Sequence, residues 1–288
     1  MALLQLDDPG TLREPVLVAA FDGWVDAGSA ATAAVEALAT DAPVIGRFDA
    51  DSIFDYRARR PTLDVVDGTL LELDWPHLEI RTAKLEARDL VILSGPEPDY
   101  RWHQLADEVT TAVRRLGVTS WVSLGAIPAA VPHTRPVPIL GTSSVRGLLP
   151  EGIQQGPDGR LRVPAAVVSV LEHAVVQAGV PAIGLFAQIP HYISASYPNG
   201  SIELLRGLGA YLGAELPLGD LATRALETRT LLDAATSSDE RTRAYVERLE
   251  TLADEARLPA GDDLIADIER FLRERGGGDS GDSGSRLN

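Results

Sequence analysis

Apolar positions in this chain fall into short continuous runs, and the stretches between them are spaced as helices. PVLVAAF (15–21) is apolar throughout and stops at Asp22-Gly23, the signature of a strand buried on both faces. VDAGSAATAAVEALAT (25–40) predicts a helix with Asp26 at its N-cap. Ala27, Ala30, Ala31 and Ala34, with Val35 and Leu38, give it a narrow apolar face for close packing. APVIGRFDA (42–50) predicts a second strand. The segment 62–88 has hairpin character, with Asp67-Gly68 suited to a type I′ turn between two extended runs. DLVILSG (89–95), SWVSLGA (120–126) and PAIGLFAQI (181–189) predict further buried strands. Helices are expected over 102–116, with Leu105, Val109, Val113 and Leu116 on one stripe, over 164–178, and from Pro198 or Ser201 onward.

Buried strands alternating with helices require crossover connections, so the core is expected to be α/β: a mixed, largely parallel sheet sandwiched by helices, with the hairpin as an excursion. After residue 216 the pattern is helical alone. It predicts helices over 219–234, 238–257 and 262–275, with Tyr245, Leu249, Leu252 and Ala256 on one face of the second. Ser237 and Glu240 have capping-box spacing at the start of that second helix. The organisation expected is an α/β core domain over 1–215, a C-terminal helical segment over 216–275, and a disordered acidic tail, GGGDSGDSGSRLN, over 276–288.

Composition then removes whole classes of function. With no cysteine in its 288 residues, the chain has no disulfides, thiolate metal sites or cysteine nucleophiles. The five histidines (77, 103, 133, 173 and 191) show neither i, i+4 spacing nor an HExxH pattern, so no metal and no cofactor are expected. A net charge of −16 without a basic run argues against nucleic acid and anionic lipid as partners. No apolar run approaches membrane-spanning length, and MALLQLDDPG lacks the build of a secretory signal. A cytoplasmic protein is expected.

In an open parallel sheet, ligands gather beyond the carboxyl ends of the strands. Four loops there carry candidate residues: FDGWVD (Asp22, Gly23, Trp24), SGPEPDYRWH (Glu97, Tyr100, Trp102), GAIPAAVPHTRP (Pro128, His133, Arg135) and QIPHYISASYP (His191, Tyr192). They could line a pocket, or serve as stiff, proline-studded surface for subunit contacts. Gly23 and Gly28 have the spacing of a phosphate loop. Ser29 stands where its lysine should be, however, and Asp22 and Asp26 would repel an anion, so an ordinary strand-to-helix turn is expected. Arg135 could grip a carboxylate through its planar fork, as a ligand site or as a salt bridge between subunits. Ser194, Ser196 and Ser201 near His191 lack a G-x-S-x-G elbow, and no complete catalytic constellation is legible.

Taken together, FDGWVDAGSAA, SGPEPDYRWH, GAIPAAVPHTRP and GLFAQIPHYISASYPN resemble the proteasome assembly chaperone 2 family in its bacterial, actinobacterial branch, over about residues 14–215. The combination is specific where no single motif would be. A chain rich in alanine and arginine, with Lys84 as its one lysine, suits the GC-rich genomes of that branch. The resemblance implies a fold like that of purine nucleoside phosphorylases, a tendency to form homo-oligomers, and proteasome subunits as possible partners. Related assembly factors often end in a hydrophobic-Tyr-X tail that inserts between outer-ring subunits of the proteasome. This chain ends SRLN, so docking by that route is not expected.

The function expected is therefore a non-enzymatic assembly chaperone or scaffold acting through protein contacts. The alternative is a hydrolase or nucleoside-phosphorylase-like enzyme, with His133, Arg135 and His191 lining a pocket at the sheet's carboxyl edge. Such phosphorylases hold ribose with a methionine and a glutamate, yet Met1 is the one methionine here. An ATP-grasp ligase would need more lysines than one.

Overall fold

In the computed structural model, which describes residues 2–157 and 159–256, the apolar runs become the middle of one large sheet. The strands in chain order are β1 (Leu4–Leu6), β2 (Val16–Asp22), β3 (Val44–Phe48), β4 (Thr62–Val66), β5 (Thr69–Asp74), β6 (Glu79–Lys84), β7 (Asp89–Pro96), β8 (Ser120–Ala129), β9 (Ile139–Ser143), β10 (Gln154–Gln155) and β11 (Ala182–Pro190). Nine of them form a sheet in the order β1-β3-β6-β7-β2-β8-β11-β9-β10. The central four, β7, β2, β8 and β11, are parallel, and antiparallel pairings of β6 with β7 and of β9 with β11 make the sheet mixed. The α/β expectation is met.

Helices cover both faces because the strand side chains alternate between two cores. In β2, Val16, Val18 and Ala20 enter one core, while Leu17, Ala19 and Phe21 enter the other. The first face carries α1 (Ala30–Ala39) and α5 (Pro198–Leu212), with α6 (Leu221–Ser238) packed on α5 and α7 (Glu240–Ala256) on α6. The second carries α3 (Trp102–Arg115) and α4 (Val167–Gln177), and Leu105, Val109, Val113 and Leu116 of the α3 stripe are all buried there. A single turn, α2 (Ala50–Ile53), follows β3. No helix among the described residues is long and apolar enough to cross a membrane. The helix expected over 262–275 and the tail over 276–288 lie outside the described residues.

Two local expectations are corrected. The hairpin excursion is shorter than 62–88: β4 and β5 alone form it, whereas 79–84 joins the main sheet as β6. Ile80, fully buried against Leu93 of β7, draws that segment into the core, while every residue of β4 and β5 is exposed. The expected turn is present, since Asp67 (φ 49°) and Gly68 (φ 77°) both have the positive φ that type I′ requires. The capping box does not form either. Ser237 stays in the last turn of α6 and bonds back to the carbonyl of Asp233, and Asp239 caps α7 by accepting from the Thr242 backbone N–H at 2.8 Å.

The turn into α1 shows why glycine occupies 28. Its φ of 64° is left-handed, and a Cβ there would lie 2.9 Å from Cβ of Tyr197, whose backbone N–H donates to the Gly28 carbonyl. The loop before α1 and the loop before α5 are thereby held backbone to backbone.

Beneath α4, Trp121 Nε1 donates to Ser123 Oγ at 2.8 Å, and Ser123 donates to the Glu172 carboxylate. Burial raises the Glu172 pKa above its usual 4.5 in spite of that hydrogen bond. A raised acid pKa means that ionisation costs stability in the folded state once pH exceeds the unfolded value. Glu172→Gln keeps an acceptor for Ser123 and removes the charge. The variant is expected to melt above the wild type at pH 7.5, with the difference closing as pH falls toward 4.5, as followed by circular dichroism.

Candidate functional site

The carboxyl ends of β2, β7, β8 and β11 lift the candidate residues to one rim, where they separate into two groups. The first surrounds the loop after β2. Glu97 is pinned from two sides: one carboxylate oxygen accepts from the Val167 backbone N–H at the start of α4 (2.7 Å), the other from the Trp24 backbone N–H (3.4 Å). Gly23 lets this happen, because a Cβ there would sit 2.9 Å from Glu97 Cβ. Asp22 pairs with Arg59 at 2.8 Å, Tyr100 Oη donates to Asp55 at 3.1 Å, and Trp102 Nε1 donates to the Pro98 carbonyl at 2.7 Å. Trp24 is 70% exposed, and Tyr100 is half-exposed beside its bond to Asp55.

The resemblance of 23–28 to a phosphate loop ends at Asp26. This buried carboxylate accepts from the N–H groups of Ala31 (2.7 Å) and Thr32 (3.4 Å) and from the Thr32 hydroxyl, occupying the N–H groups a phosphate would need. It does the capping expected of it from three residues before Ser29, which holds the cap position without a side-chain bond. Burial holds the Asp26 pKa above the ordinary carboxylate value.

The second group is built on the loop after β8. Past Ser123, β8 leaves β2 and touches the loop after it once more, where the Ala126 N–H donates to the Val25 carbonyl at 2.6 Å. Beyond that it pairs with β11 alone, so Pro128, opposite Ile189, is tolerated at an exposed position where its missing N–H leaves no gap in the ladder. His133 is 1% exposed, and each of its polar groups is bound within the chain. Its backbone N–H donates to Tyr192 Oη at 2.8 Å, Nδ1 lies 2.7 Å from the same hydroxyl, and Nε2 lies 3.2 Å from Asp233 Oδ1 on α6. Since the carboxylate can only accept, the proton sits on Nε2 and the Tyr192 hydroxyl donates to Nδ1. Arg229 completes the unit: Nε holds the Asp233 carboxylate at 2.8 Å and one terminal nitrogen donates to the His133 carbonyl at 3.0 Å.

The next two residues grip α7. Thr134 donates to Glu250. Arg135 forks onto Asp254 with bonds of 2.9 and 2.8 Å and reaches Glu250 at 3.2 Å. His191 Nδ1 lies 3.0 Å from the Ala129 carbonyl, and its Nε2 lies 3.0 Å from Tyr245 Oη on α7. The rings of His133, His191, Tyr192 and Tyr245 stack edge to face at centroid separations of 5.7–6.3 Å. The structure thus brings His133, Arg135, His191 and Tyr192 together, as parts of a clamp on two helices. Asp22, Gly23, Trp24, Glu97, Tyr100 and Trp102 form the separate first group.

The electrostatics agree. Burial lowers the pKa of His133, outweighing the pull of Asp233, so the ring stays neutral. Burial alone would raise Asp233, but the hydrogen bond and charge of Arg229 outweigh it and keep that carboxylate ionised. Burial also pushes the Tyr192 hydroxyl up, which keeps it a donor. Sequence reading missed the partners on the helices, although Glu250 and Asp254 carried a signal. Two acids four residues apart on a helix repel unless a cation lies between them, and Arg135 is that cation.

A cleft of about 470 Å³ beside this clamp is lined by Arg135, Pro132, Gln188 and Leu252 but by neither histidine. A larger one of about 830 Å³ lies on the far side of the β2 loop, with Asp22, Thr32, Glu36, Glu79, Arg81 and Arg224 in its walls. Among the described residues no cluster of three or more His, Asp or Glu side chains has the arrangement of a metal site. The pocket that the phosphorylase-like alternative requires, lined jointly by His133, Arg135 and His191, is therefore neither of these clefts.

Comparison with known proteins gives a consistent picture. The model of the PAC2 family matches residues 20–236. The chain is 37% identical to a Mycobacterium tuberculosis protein described as a proteasome-assembly chaperone homologue, covering 80% of this chain and 99% of that one at a TM-score of 0.70. It is 34% identical to a PAC2 family protein from Streptomyces avermitilis, covering 81% and 99% at a TM-score of 0.70. It is 30% identical to a second M. tuberculosis protein, of unknown function, covering 88% and 91% at a TM-score of 0.82. No curated protein matches the sequence.

Two outcomes test the clamp. Tyr192→Phe strands the buried N–H and Nδ1 of His133 and is expected to cost about 1–3 kcal/mol in denaturant unfolding. Because the His133 pKa is lowered from 6.5, the unfolded chain takes up a proton that the folded chain resists. Its contribution is complete above about pH 6.5 and is lost as pH falls toward the folded value. His133→Gln is expected to be less stable than the wild type at pH 7.5 but to lose less between pH 7 and 5.

Proposed function

The chain belongs to the PAC2 family, and from that premise we propose that it is a non-enzymatic assembly chaperone or scaffold that acts through protein contacts, with proteasome subunits as its partners. Supporting this reading, the candidate acid–base and anion-binding side chains of the rim are occupied by other parts of the same chain. The imidazole of His133 is committed to Tyr192 and Asp233, that of His191 to Ala129 and Tyr245, and the guanidinium of Arg135 to Glu250 and Asp254. A general base must be able to reach a substrate proton, and these rings face their own helices. The relative described as a proteasome-assembly chaperone homologue, at 37% identity, points to the proteasome as the place of action.

In this reading residues 1–215 form the platform and the helices beyond 216 are the part it presents. The clamp fixes the first two of these helices so that their outward faces are displayed in one orientation. Leu226 and Leu231 of α6 are 70% and 72% exposed, and they supply apolar contact area on that outer surface. The protein works in the cytoplasm and as a homo-oligomer.

The test uses purified full-length chain and separately purified proteasome α and β subunits of an actinobacterium. We expect co-migration with one of the subunits by analytical ultracentrifugation and faster formation of the mature particle on native gels. Leu226→Asp with Leu231→Asp is expected to abolish both effects without changing the melting temperature. Absence of any complex at tens of micromolar, or turnover of a small molecule in a metabolite screen, would overturn the reading.

A further inference from the structure

Among the described residues, the β4–β5 hairpin stands apart from the main sheet. The two strands pair only with each other among the described strands, and every residue of both is exposed. Leu63, Val65, Leu70, Leu71 and Leu73 are between 44% and 68% exposed, far more bare aliphatic surface than a two-stranded ribbon retains without a partner in water. Over 72–74 the outer edge of β5 alternates, Glu72 and Asp74 to one face and Leu73 to the other, while the register shift opposite Asp64 places Leu71 on a bulge. Leu73 lies opposite Leu63, which extends the apolar face across the ribbon.

A second segment carries the reciprocal pattern. Residues 160–163 read Arg-Leu-Arg-Val, lie outside any helix or strand, and are exposed, with Leu161 at 61% and Val163 at 62%. Gly159 (φ 73°) turns the chain before them, and Pro164, which has no N–H to give, ends the run after four residues.

We propose that segment 160–163 of one copy adds as an antiparallel strand to the free edge of β5 in a second copy of this chain. Opposite residues in such a ladder share a face. Leu161 then meets Leu73 on the apolar side, while Arg160 stands against Asp74 and Arg162 against Glu72 on the other. Strand addition satisfies the unpaired backbone groups of the edge, and charge complementarity fixes register and direction, because a shift by one residue would set arginines against leucines. The occupant is another copy because both halves of the match belong to one sequence, and among the described residues neither the outer edge of β5 nor 160–163 pairs with another strand. The contact rests on the self-association included in the proposed function, but not on the identity of any other partner.

Charge reversal separates the outcomes, since all four charged residues are exposed and can be changed without disturbing the core. Sedimentation of the wild type is expected to give a particle of two or more copies. Glu72→Arg with Asp74→Arg, and separately Arg160→Glu with Arg162→Glu, are each expected to weaken association at least about tenfold at physiological salt. Melting temperatures should be unchanged. Mixing the two variants, or combining all four changes in one chain, should restore it. If the wild type is an oligomer indifferent to these reversals, or if mixing restores nothing, this contact is overturned and self-association stands. A wild type that stays single at 100 µM on the order of typical interface concentrations overturns both.

Discussion

The neutral imidazole of His133 is the point on which the carboxyl rim depends. It is buried, it has two nitrogens and a backbone N–H to satisfy, and it meets that requirement with Tyr192 from the neighbouring strand end and Asp233 from a helix a hundred residues later. A buried polar group without partners is costly, so the loop after β8 and helix α6 can pack against each other only in the arrangement that closes this network. Arg229 ties the same carboxylate to the carbonyl of His133, and the adjoining Arg135 extends the hold to α7. One stretch of four residues, Pro132 to Arg135, thus decides where two C-terminal helices sit.

What could be read from the sequence followed the strength of the periodic signal. The strands at 15–21, 89–95, 120–126 and 181–189 are continuous apolar runs, and burial on both faces leaves no other place for them. The stripe on α3 was equally plain. The end of the hairpin was not, because Glu79 to Lys84 alternates in the same way whether it extends a ribbon or joins a sheet. Only its pairing with β7 distinguishes the two. The cap of α7 went to Asp239 rather than Ser237 for a similar reason: both are good capping residues, and the choice turns on where α6 stops.

The rim residues were identifiable as special, since histidine, arginine and tyrosine among prolines are uncommon at strand ends, but their partners lie some 60 to 120 residues away and no local pattern links them. The Glu250 and Asp254 pair was the one available clue. The exposed leucines of β4 and β5 pose the converse case. They stand bare, and among the described residues no other strand pairs with their ribbon.

The Asp26 carboxylate gives the turn after β2 a further meaning. Buried itself, it accepts from the Ala31 and Thr32 N–H groups in the first turn of α1. The chain thus supplies from its own sequence the negative charge that the amino end of a helix favours, and the glycine-spaced turn at 23–28 is filled from within.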